Sequence, residues 1–313
     1  MSDARPGRDP GATRRLDAAS RDWPPLWREL PDPPAAVFGR GRRDVLGRPV
    51  LAIVGTRRPT PRGAAVAHEL AAELAYAGWV IASGLAHGID AAAHRGALSV
   101  GGLTVAVLAG GLDGTYPSGH HALRAAIERH GCVLSEYPPG TPPQAFRFLA
   151  RNRLVAGMAR GVLVVEAPAT SGALTTARFA LDYDRDVLAV PGPVDAPQSA
   201  GCHGLIRAGA ALVAAAAHVH EALPPPLPLA AAAGRPPPPL PAPGSPARWL
   251  FDRLDLGGTP QAELQSQWAG APAQWAEALL VLEMAGLIRR LPGGRLARTI
   301  LTVGTPPPAR AGP

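Results

Sequence analysis

The stretch V-L-A-I-V-G-T-R-R-P-T-P-R-G (residues 50–63), followed by an alanine-rich segment and by W-V-I-A-S-G-L-A-H-G-I-D (79–90), decides the fold of this chain. Both apolar runs lack polar alternation, which is typical of strands buried on both faces of a sheet. Each run ends at a glycine-containing polar turn that opens a helical pattern. The stretch therefore predicts a β-α-β unit whose two turns lie at the same edge of a parallel sheet.

The alternation of strand and helix patterns continues to about residue 213. Strands are predicted at 50–54, 79–82, 103–109, 132–135, 161–166, 186–190 and 211–213. Helices are predicted at 62–77, 88–100, 119–130, 145–159, 172–183 and 202–209. Repeated βα units with short connections predict an α/β fold with a doubly wound, mostly parallel sheet.

The composition also predicts where the domains begin and end. Residues 1–20 are polar and arginine-rich and are expected to form a disordered tail, so the main domain is assigned to residues 21–223. Residues 224–246 are rich in Pro, Ala and Gly, which favours an extended linker. Residues 247–303 combine three helical patterns with a hairpin signal, which fits a winged helix or a generic small helical cap. Residues 304–313 are expected to be a second tail.

Arginine alone carries the positive charge of the chain. All 31 residues counted as Lys or Arg are arginine, and the formal net charge is +7. Excess arginine is typical of proteins with a polyanionic partner, although a GC-rich genome would produce the same bias. The lack of lysine excludes a Schiff-base lysine and a P-loop lysine. Two separate cysteines and the lack of a long apolar run indicate a cytosolic protein without structural zinc or a membrane span.

Four glycine-bearing turns follow predicted strands and are expected to meet at one rim of the sheet. They begin at Gly55, Ser83, Gly110 and Pro168. Glycine lets the backbone approach a ligand, and a helix N-terminus suits a phosphate. Because Arg57 lies at such a helix start, a role as a phosphate ligand is favoured over a surface salt bridge. None of the turns has the G-x-G-x-x-G pattern, and no acidic residue ends the second strand, so a dinucleotide-dependent dehydrogenase is not expected.

Three further patterns near this rim allow two interpretations each. The segment F-R-F-L-A-R-N-R (146–153) suits stacking on unpaired bases beside phosphate contacts, or a helix with buried aromatic residues and solvated arginines. Asp90 and His94 share a helix face, where one could act as a catalytic base and the other could orient it. Helix capping and pocket lining are the favoured roles. Glu166 ends an apolar strand, where a carboxylate is either catalytic or holds a neighbouring turn.

Taken in order, the motifs resemble those of the DNA-processing protein A family (DprA, also called Smf). The resemblance runs from residue 22 to residue 223 and rests on eight segments. They are I-V-G-T-R (53–57), S-G-L-A-H-G-I-D-A-A-A-H (83–94), G-L-T-V-A-V-L-A-G-G-L-D-G-T-Y-P (102–117), L-S-E-Y-P (134–138), R-N-R-L-V-A-G (151–157), V-V-E-A-P-A-T-S-G-A-L-T-T-A (164–177), A-V-P-G-P (189–193) and L-I-R-A-G-A-A-L-V (205–213). The C-terminal segment resembles the winged-helix domain of the same family.

The resemblance implies an extended Rossmann-like domain that binds single-stranded DNA in a basic pocket, with no catalytic activity, cofactor or metal. It also implies a cytoplasmic homodimer that protects incoming single strands and helps load the RecA recombinase during natural transformation. Carried over residue by residue, the DNA-binding positions are Gly55, Thr56, Arg57, Ser83, Gly84, His87, Arg151, Asn152, Arg153, Ser171 and Gly172. His120 and His203 stand where the family usually has asparagine, and binding is expected to survive because neutral histidine keeps one donor and one acceptor.

Two alternative functions are less consistent with the residues. A nucleotide phosphoribohydrolase of the lysine-decarboxylase-like group would carry P-G-G-x-G-T-x-x-E, whereas A-G-G-L-D-G-T-Y-P (109–117) has one residue too many and lacks the catalytic Glu. A regulator of duplex DNA would read the groove with the helix predicted at 272–285, which carries two glutamates and no arginine. Contact with a partner is the more consistent role for that helix.

Overall fold

The computed structural model of the protein describes residues 12–114, 116–223, 241–254, 258–285, 287–291 and 293–298. The chain divides into two units, Met1–Ala232 and Ala233–Pro313. Within the described ranges, no helix is both long enough and apolar enough to cross a membrane. Most of the predicted linker, residues 224–240, and the predicted tail at 304–313 lie outside the described residues.

A nine-stranded sheet with helices on both faces forms the first unit. Its strands are β1 (Arg14–Leu16), β2 (Val37–Gly41), β3 (Val50–Val54), β4 (Val80–Ser83), β5 (Thr104–Leu108), β6 (Cys132–Ser135), β7 (Gly161–Val164), β8 (Asp186–Ala189) and β9 (Ala211–Leu212). Its α-helices are α1 (Pro61–Tyr76), α2 (Ile89–Ser99), α3 (His121–His130), α4 (Ala145–Met158), α5 (Ala173–Asp182), α6 (Ala200–Arg207) and α7 (Ala216–Ala222). The predicted strands and helices agree with these bounds to within two residues at each end.

The order of the strands is β1-β2-β6-β5-β4-β3-β7-β8-β9. All neighbours from β6 to β9 pair in parallel, while β1 and β2 add an antiparallel edge next to β6. The chain builds outward from β3 to β6 and then returns through α4 to β7 on the other side of β3. The expected doubly wound, mostly parallel α/β fold is confirmed, and its topological switch point lies between β3 and β7, where ligands bind in such sheets.

The alternation of side chains along β3 divides the core between the two faces of the sheet. Leu51 and Ile53 pack with residues of α1 and α2, whereas Ala52 and Val54 pack with residues of α4 and α5. Every residue of β3 is buried, as predicted for a strand covered on both faces. The strand ends are therefore fixed on both sides, which holds the following turns in place.

The prediction of a disordered tail over residues 1–20 is wrong for its C-terminal part. Arg14–Leu16 forms β1 and pairs with β2 in antiparallel register, Leu16 opposite Val37. The strand R-R-L has no apolar run that would predict it. It forms by pairing with β2, a strand that was not predicted from the sequence either. Trp27, in the connection between the two strands, donates from Nε1 to the carbonyl oxygen of Leu154 at 3.0 Å and so fastens this edge to α4.

The second unit has the winged-helix arrangement, rather than that of a helical cap. It contains α8 (Pro246–Arg253), β10 (Thr259–Pro260), α9 (Gln261–Ser266), α10 (Pro272–Met284), β11 (Ile288–Leu291) and β12 (Arg295–Arg298), with strand order β10-β12-β11. Helix α8 begins inside the segment assigned to the linker, because the Ser245 hydroxyl accepts from the backbone N–H of Arg248 at 3.1 Å and caps the helix. Leu280 and Met284 on α10 are exposed beside Glu277, a surface that differs from the basic helix that groove binding would need.

Two carboxyl groups on α1, those of Glu69 and Glu73, are expected to make the stability of the first unit depend on pH. Burial, with a smaller contribution from the charge of Glu69, raises the pKa of Glu73 from its ordinary 4.5 to about 7, although its carboxylate accepts from the backbone N–H of Ala216. A raised carboxyl pKa means that this contribution to folding is complete below pH 4.5 and is lost as the pH rises through 7.

Replacing Glu73 by glutamine is therefore expected to flatten the pH dependence of stability. The neutral amide imitates the protonated carboxyl, so the variant should gain about 1–3 kcal/mol of unfolding free energy relative to the parent between about pH 5.5 and pH 8. Urea denaturation of both proteins at the two pH values measures the difference. Parallel changes in the two proteins would contradict this assignment.

Candidate nucleic-acid interface

A cavity of about 930 Å³ lies beyond the carboxyl ends of β3, β4 and β7, at the topological switch point. The turns after these strands and the N-terminal half of α4 form its walls. The lining includes Gly55, Thr56, Arg57, Arg58, Gly84, Asp90, Tyr116, Phe148, Leu149, Arg151, Asn152, Ser171 and Gly172. Among the described lining residues Asp90 is the single acidic one, so the wall is basic overall.

The turn after β3 is held by Glu166, which follows β7. The carboxylate of Glu166 accepts from the backbone N–H and from the hydroxyl of Thr60, both at 2.8 Å, and its carbonyl oxygen accepts from the N–H of Thr56 at 2.6 Å. A side chain at Gly55 would lie 2.6 Å from Ile89 and 2.8 Å from this carbonyl oxygen. Glu166 therefore holds a neighbouring turn, the second of its two expected roles, and Gly55 allows close packing against Ile89 and Glu166.

Arg57 projects from this turn as an exposed cation. Its guanidinium carbon lies 4.7 Å from the ring centroid of Phe148, and Tyr116 meets the same ring edge-on with centroids 5.2 Å apart. Arg57 has no acidic partner among the residues that the structure describes. Because a guanidinium pairs two oxygens of a phosphate at once, this arrangement suits an anionic ligand with a flat ring.

Arg151 has the opposite environment, although the sequence pattern placed both arginines in one site. Only 4% of it is exposed, and Nη1 donates to the carbonyl oxygen of Gly84 at 2.6 Å and to that of Val107. A side chain at Gly84 would collide with the guanidinium, so this glycine makes room for Arg151. Burial lowers the pKa of Arg151 to about 10, and the charge of Asp90 opposes this effect. Arg151 thus contributes a fixed positive charge at the floor of the cavity.

Asp90 supports the turn after β4, which has a strained backbone. Leu85 in this turn has a φ of 56°, which is rare for a residue other than glycine. The carboxylate of Asp90 accepts from the backbone N–H groups of the two residues that flank Leu85, Gly84 at 3.0 Å and Ala86 at 3.3 Å. Burial raises the pKa of Asp90, while the charge of Arg151 acts in the opposite direction. Asp90 lines the cavity as expected, but it does not cap α2: this helix has no side-chain cap at its N-terminus, and the carboxylate holds the preceding turn instead.

The fourth turn brings the N-terminus of α5 to the cavity. Ser171 and Gly172 line the wall, and the Ser171 hydroxyl accepts from the backbone N–H of Ala173 at 3.3 Å. Asn152 crosses from α4, donating from Nδ2 to the carbonyl oxygen of Gly172 at 3.3 Å and accepting from Nε of Arg151 at 3.2 Å. These contacts place Asn152 and the start of α5 side by side.

Three of the predicted DNA-binding residues lie outside the cavity lining. Ser83 is fully buried and donates to the carbonyl oxygen of Ile53 at 2.7 Å. Arg153 is paired with Glu136 at 2.5 Å and with Asp32 at 3.6 Å. His87 is exposed, and its ring lies against that of His120 with centroids 4.8 Å apart. Ser83 and Arg153 therefore act in the structure as supports, which motif order alone does not reveal.

Two histidines near the rim each have a ring nitrogen fixed by a backbone carbonyl oxygen. His120 Nδ1 donates to the carbonyl oxygen of Leu85 at 3.1 Å, and burial lowers the pKa of its imidazole. His203 Nε2 donates to the carbonyl oxygen of Gly192 at 3.0 Å. His94 pairs with Thr104 at 2.6 Å instead of Asp90, and burial lowers its pKa to about 3, so the catalytic pair considered for Asp90 and His94 is absent from the described structure.

Sequence reasoning missed the contribution of Tyr116 and the separate role of the third turn. Gly110, Gly111 and Gly114 line a smaller cavity of about 140 Å³, which shares Tyr116 and Phe148 with the larger one. Tyr116 is 45% exposed and stands between the two. Its place in the G-T-Y-P motif is the only sequence signal that could have identified it.

Comparisons with known proteins agree with this architecture. A family model for DNA recombination-mediator protein A matches residues 15–224, and a DprA winged helix domain model matches residues 234–294. A DNA processing protein DprA of Mycobacterium tuberculosis is 46% identical over 251 residues, which is 80% of this chain and 64% of the relative. The DNA processing protein DprA of Bacillus subtilis is 40% identical over 210 residues, 67% of this chain and 71% of the relative. The chain thus spans about two thirds of these relatives' length.

Two solved structures extend the likeness to three dimensions. DNA processing protein A from Streptococcus pneumoniae has a TM-score of 0.64 at 41% identity, covering 66% of this chain and 73% of the other. DNA processing protein A from Helicobacter pylori, described for its single-stranded DNA binding mode, has a TM-score of 0.62 at 32% identity. The match covers 68% of this chain and 95% of the other. With both domain models matched in order, the chain belongs to the DNA recombination-mediator protein A family.

Proposed function

We propose that this chain binds single-stranded DNA in the cavity at the switch point, without catalysing a reaction. In this proposal the protein is cytoplasmic and homodimeric, protects incoming single strands and helps load the RecA recombinase onto them during natural transformation. Family membership and the Helicobacter pylori relative support the choice of ligand. The recombinase, the dimer and the transformation role rest on the family resemblance.

The observation that carries the proposal is an arginine without an acidic partner beside aromatic rings in the cavity wall. Arg57 and Arg58 are exposed in the cavity wall, and neither has an acidic partner among the described residues. Phe148 and Tyr116 offer ring faces or edges a few ångströms away. Phosphates of a DNA strand would pair with the arginines while a base stacks on an aromatic ring.

The position of the rings in the cavity wall favours unpaired strands over duplex DNA. A ring inside a cavity reaches a base face only when that base is free of its complement and its stacking neighbours. The carboxylate of Asp90 in the cavity lining accepts hydrogen bonds from Gly84 and Ala86, and that of Glu166, which follows β7, accepts from Thr60. This use of the carboxylates is inconsistent with the phosphoribohydrolase alternative, which needs a free catalytic one.

Binding is expected to prefer single strands and to weaken as salt rises. For a single strand, log K should fall with log salt by about 0.7 per phosphate contact. Fluorescence anisotropy with one labelled oligonucleotide, alone and annealed to its complement, measures both effects from about 50 to 300 mM salt. Equal affinity for the two forms, or an affinity that does not change with salt, would contradict the proposal.

A further inference from the structure

We propose that the first turn of α4 carries a second base-binding position outside the cavity, where an unpaired base of the same strand stacks on Phe146 beside Arg147. This inference rests on the proposed single-stranded DNA binding. It adds a nucleotide position that the cavity does not contain, since neither Phe146 nor Arg147 lines the cavity.

The position is continuous with the cavity over the surface of α4. Phe146 is 62% exposed and Leu149 is 50% exposed, and the two are neighbours on the helix because they are three residues apart. Leu149 also lines the cavity wall. A strand that leaves the cavity over Leu149 therefore meets the Phe146 ring next.

The surroundings of Phe146 are cationic and aromatic. The guanidinium carbon of Arg147 lies 5.3 Å from the Phe146 centroid and 5.1 Å from that of Tyr137. Arg147 donates to the carbonyl oxygen of Pro142 and has no acidic partner among the described residues. Glu136, next to Tyr137, is neutralised by Arg153 at 2.5 Å. An aromatic face with an unneutralised arginine beside it matches the way proteins hold unpaired bases and their phosphates.

The size of the surface favours a base over a protein partner. Its large exposed apolar side chains are Phe146 and Leu149, whereas a stable protein interface buries roughly 800 Å² on each side. One ring beside one arginine is the scale of a single nucleotide. Phe146 is mostly exposed and belongs to none of the hydrophobic clusters of the described structure, so its removal should leave the core intact.

The test compares Phe146→Ala with Phe146→Trp on oligonucleotides of increasing length, read by fluorescence anisotropy. We expect Phe146→Ala to weaken binding of a strand of about 12 nucleotides roughly tenfold, the lower range for one base stack, and Phe146→Trp to retain parental affinity because indole also stacks. Leu181→Ala is the matched control, since Leu181 is 63% exposed at the far end of α5 and should change nothing.

The length series separates this inference from the proposed function. The affinity of the parent should keep rising with length after that of Phe146→Ala has reached its plateau. Parental affinity in Phe146→Ala, together with a loss in Arg57→Ala, would overturn the second position and leave the cavity proposal standing. Failure of the parent to bind any single strand would overturn both. Unchanged melting temperatures confirm that the variants are folded.

Discussion

Replacing Arg57 by alanine is expected to weaken single-stranded DNA binding by about 10- to 150-fold. The estimate corresponds to about 1.5–3 kcal/mol, the range for a hydrogen bond to a charged group. The side chain is exposed and contacts the Phe148 ring, so its loss should change the free energy of unfolding by less than about 1 kcal/mol. The measurement is a titration by anisotropy together with a urea denaturation curve.

Arg160→Ala is the matched control for this change. Arg160 is also exposed, but it precedes β7 at the amino ends of the parallel strands, opposite the cavity, where its backbone N–H donates to the carbonyl oxygen of Val50. Both variants remove one positive charge, so a general electrostatic effect would weaken binding equally in the two. Equal losses, or no loss in Arg57→Ala, would remove Arg57 from the site.

The sheet was predictable because its strands are buried on both faces. The apolar runs of β3 to β8 need no tertiary context to be recognised, and the turns after them fall at one rim by the topology of parallel strands. Strands β1 and β2 escaped recognition since their sequences, R-R-L and V-F-G-R-G, form strands only by pairing with β6 and with each other. Strand β2 is stabilised by β6, which lies more than 90 residues further along the chain, and β1 is stabilised in turn by β2.

The position of the cavity at the strand ends was predictable from the sequence, but the different environments of the arginines around it were not. The predicted DNA-binding positions include three arginines of the motifs, Arg57, Arg151 and Arg153. Nothing in the motif spacing shows which of them is exposed, buried or paired with an acidic residue. The structure leaves Arg57 exposed, buries Arg151 beneath Gly84 and pairs Arg153 with two acidic residues. Burial and partners depend on residues 32, 84, 107 and 136, which lie far away along the chain. The sequence pattern could not show these contacts.

Arg151→Ala is expected to destabilise the first unit by about 3–5 kcal/mol, the range for removing one member of a buried charged pair. The change leaves the carbonyl oxygens of Gly84 and Val107 without their donor and removes the cation that faces Asp90. It also opens a gap beneath the strained Leu85 turn, which Asp90 alone would then hold. Binding should be lost together with stability, since the cavity floor is built on this side chain.

Urea denaturation of the first unit, followed by the fluorescence of its buried tryptophans Trp23, Trp27 and Trp79, measures this loss. Arg151→Lys serves as the conservative variant: it keeps the charge opposite Asp90 but lacks the fork that reaches two carbonyl oxygens, so its stability should fall between the other two. If Arg151→Ala were as stable as the parent yet bound DNA poorly, Arg151 would be a direct phosphate ligand. The opposite result, an unstable variant beside a stable Arg57→Ala, identifies one arginine as scaffold and the other as ligand-facing.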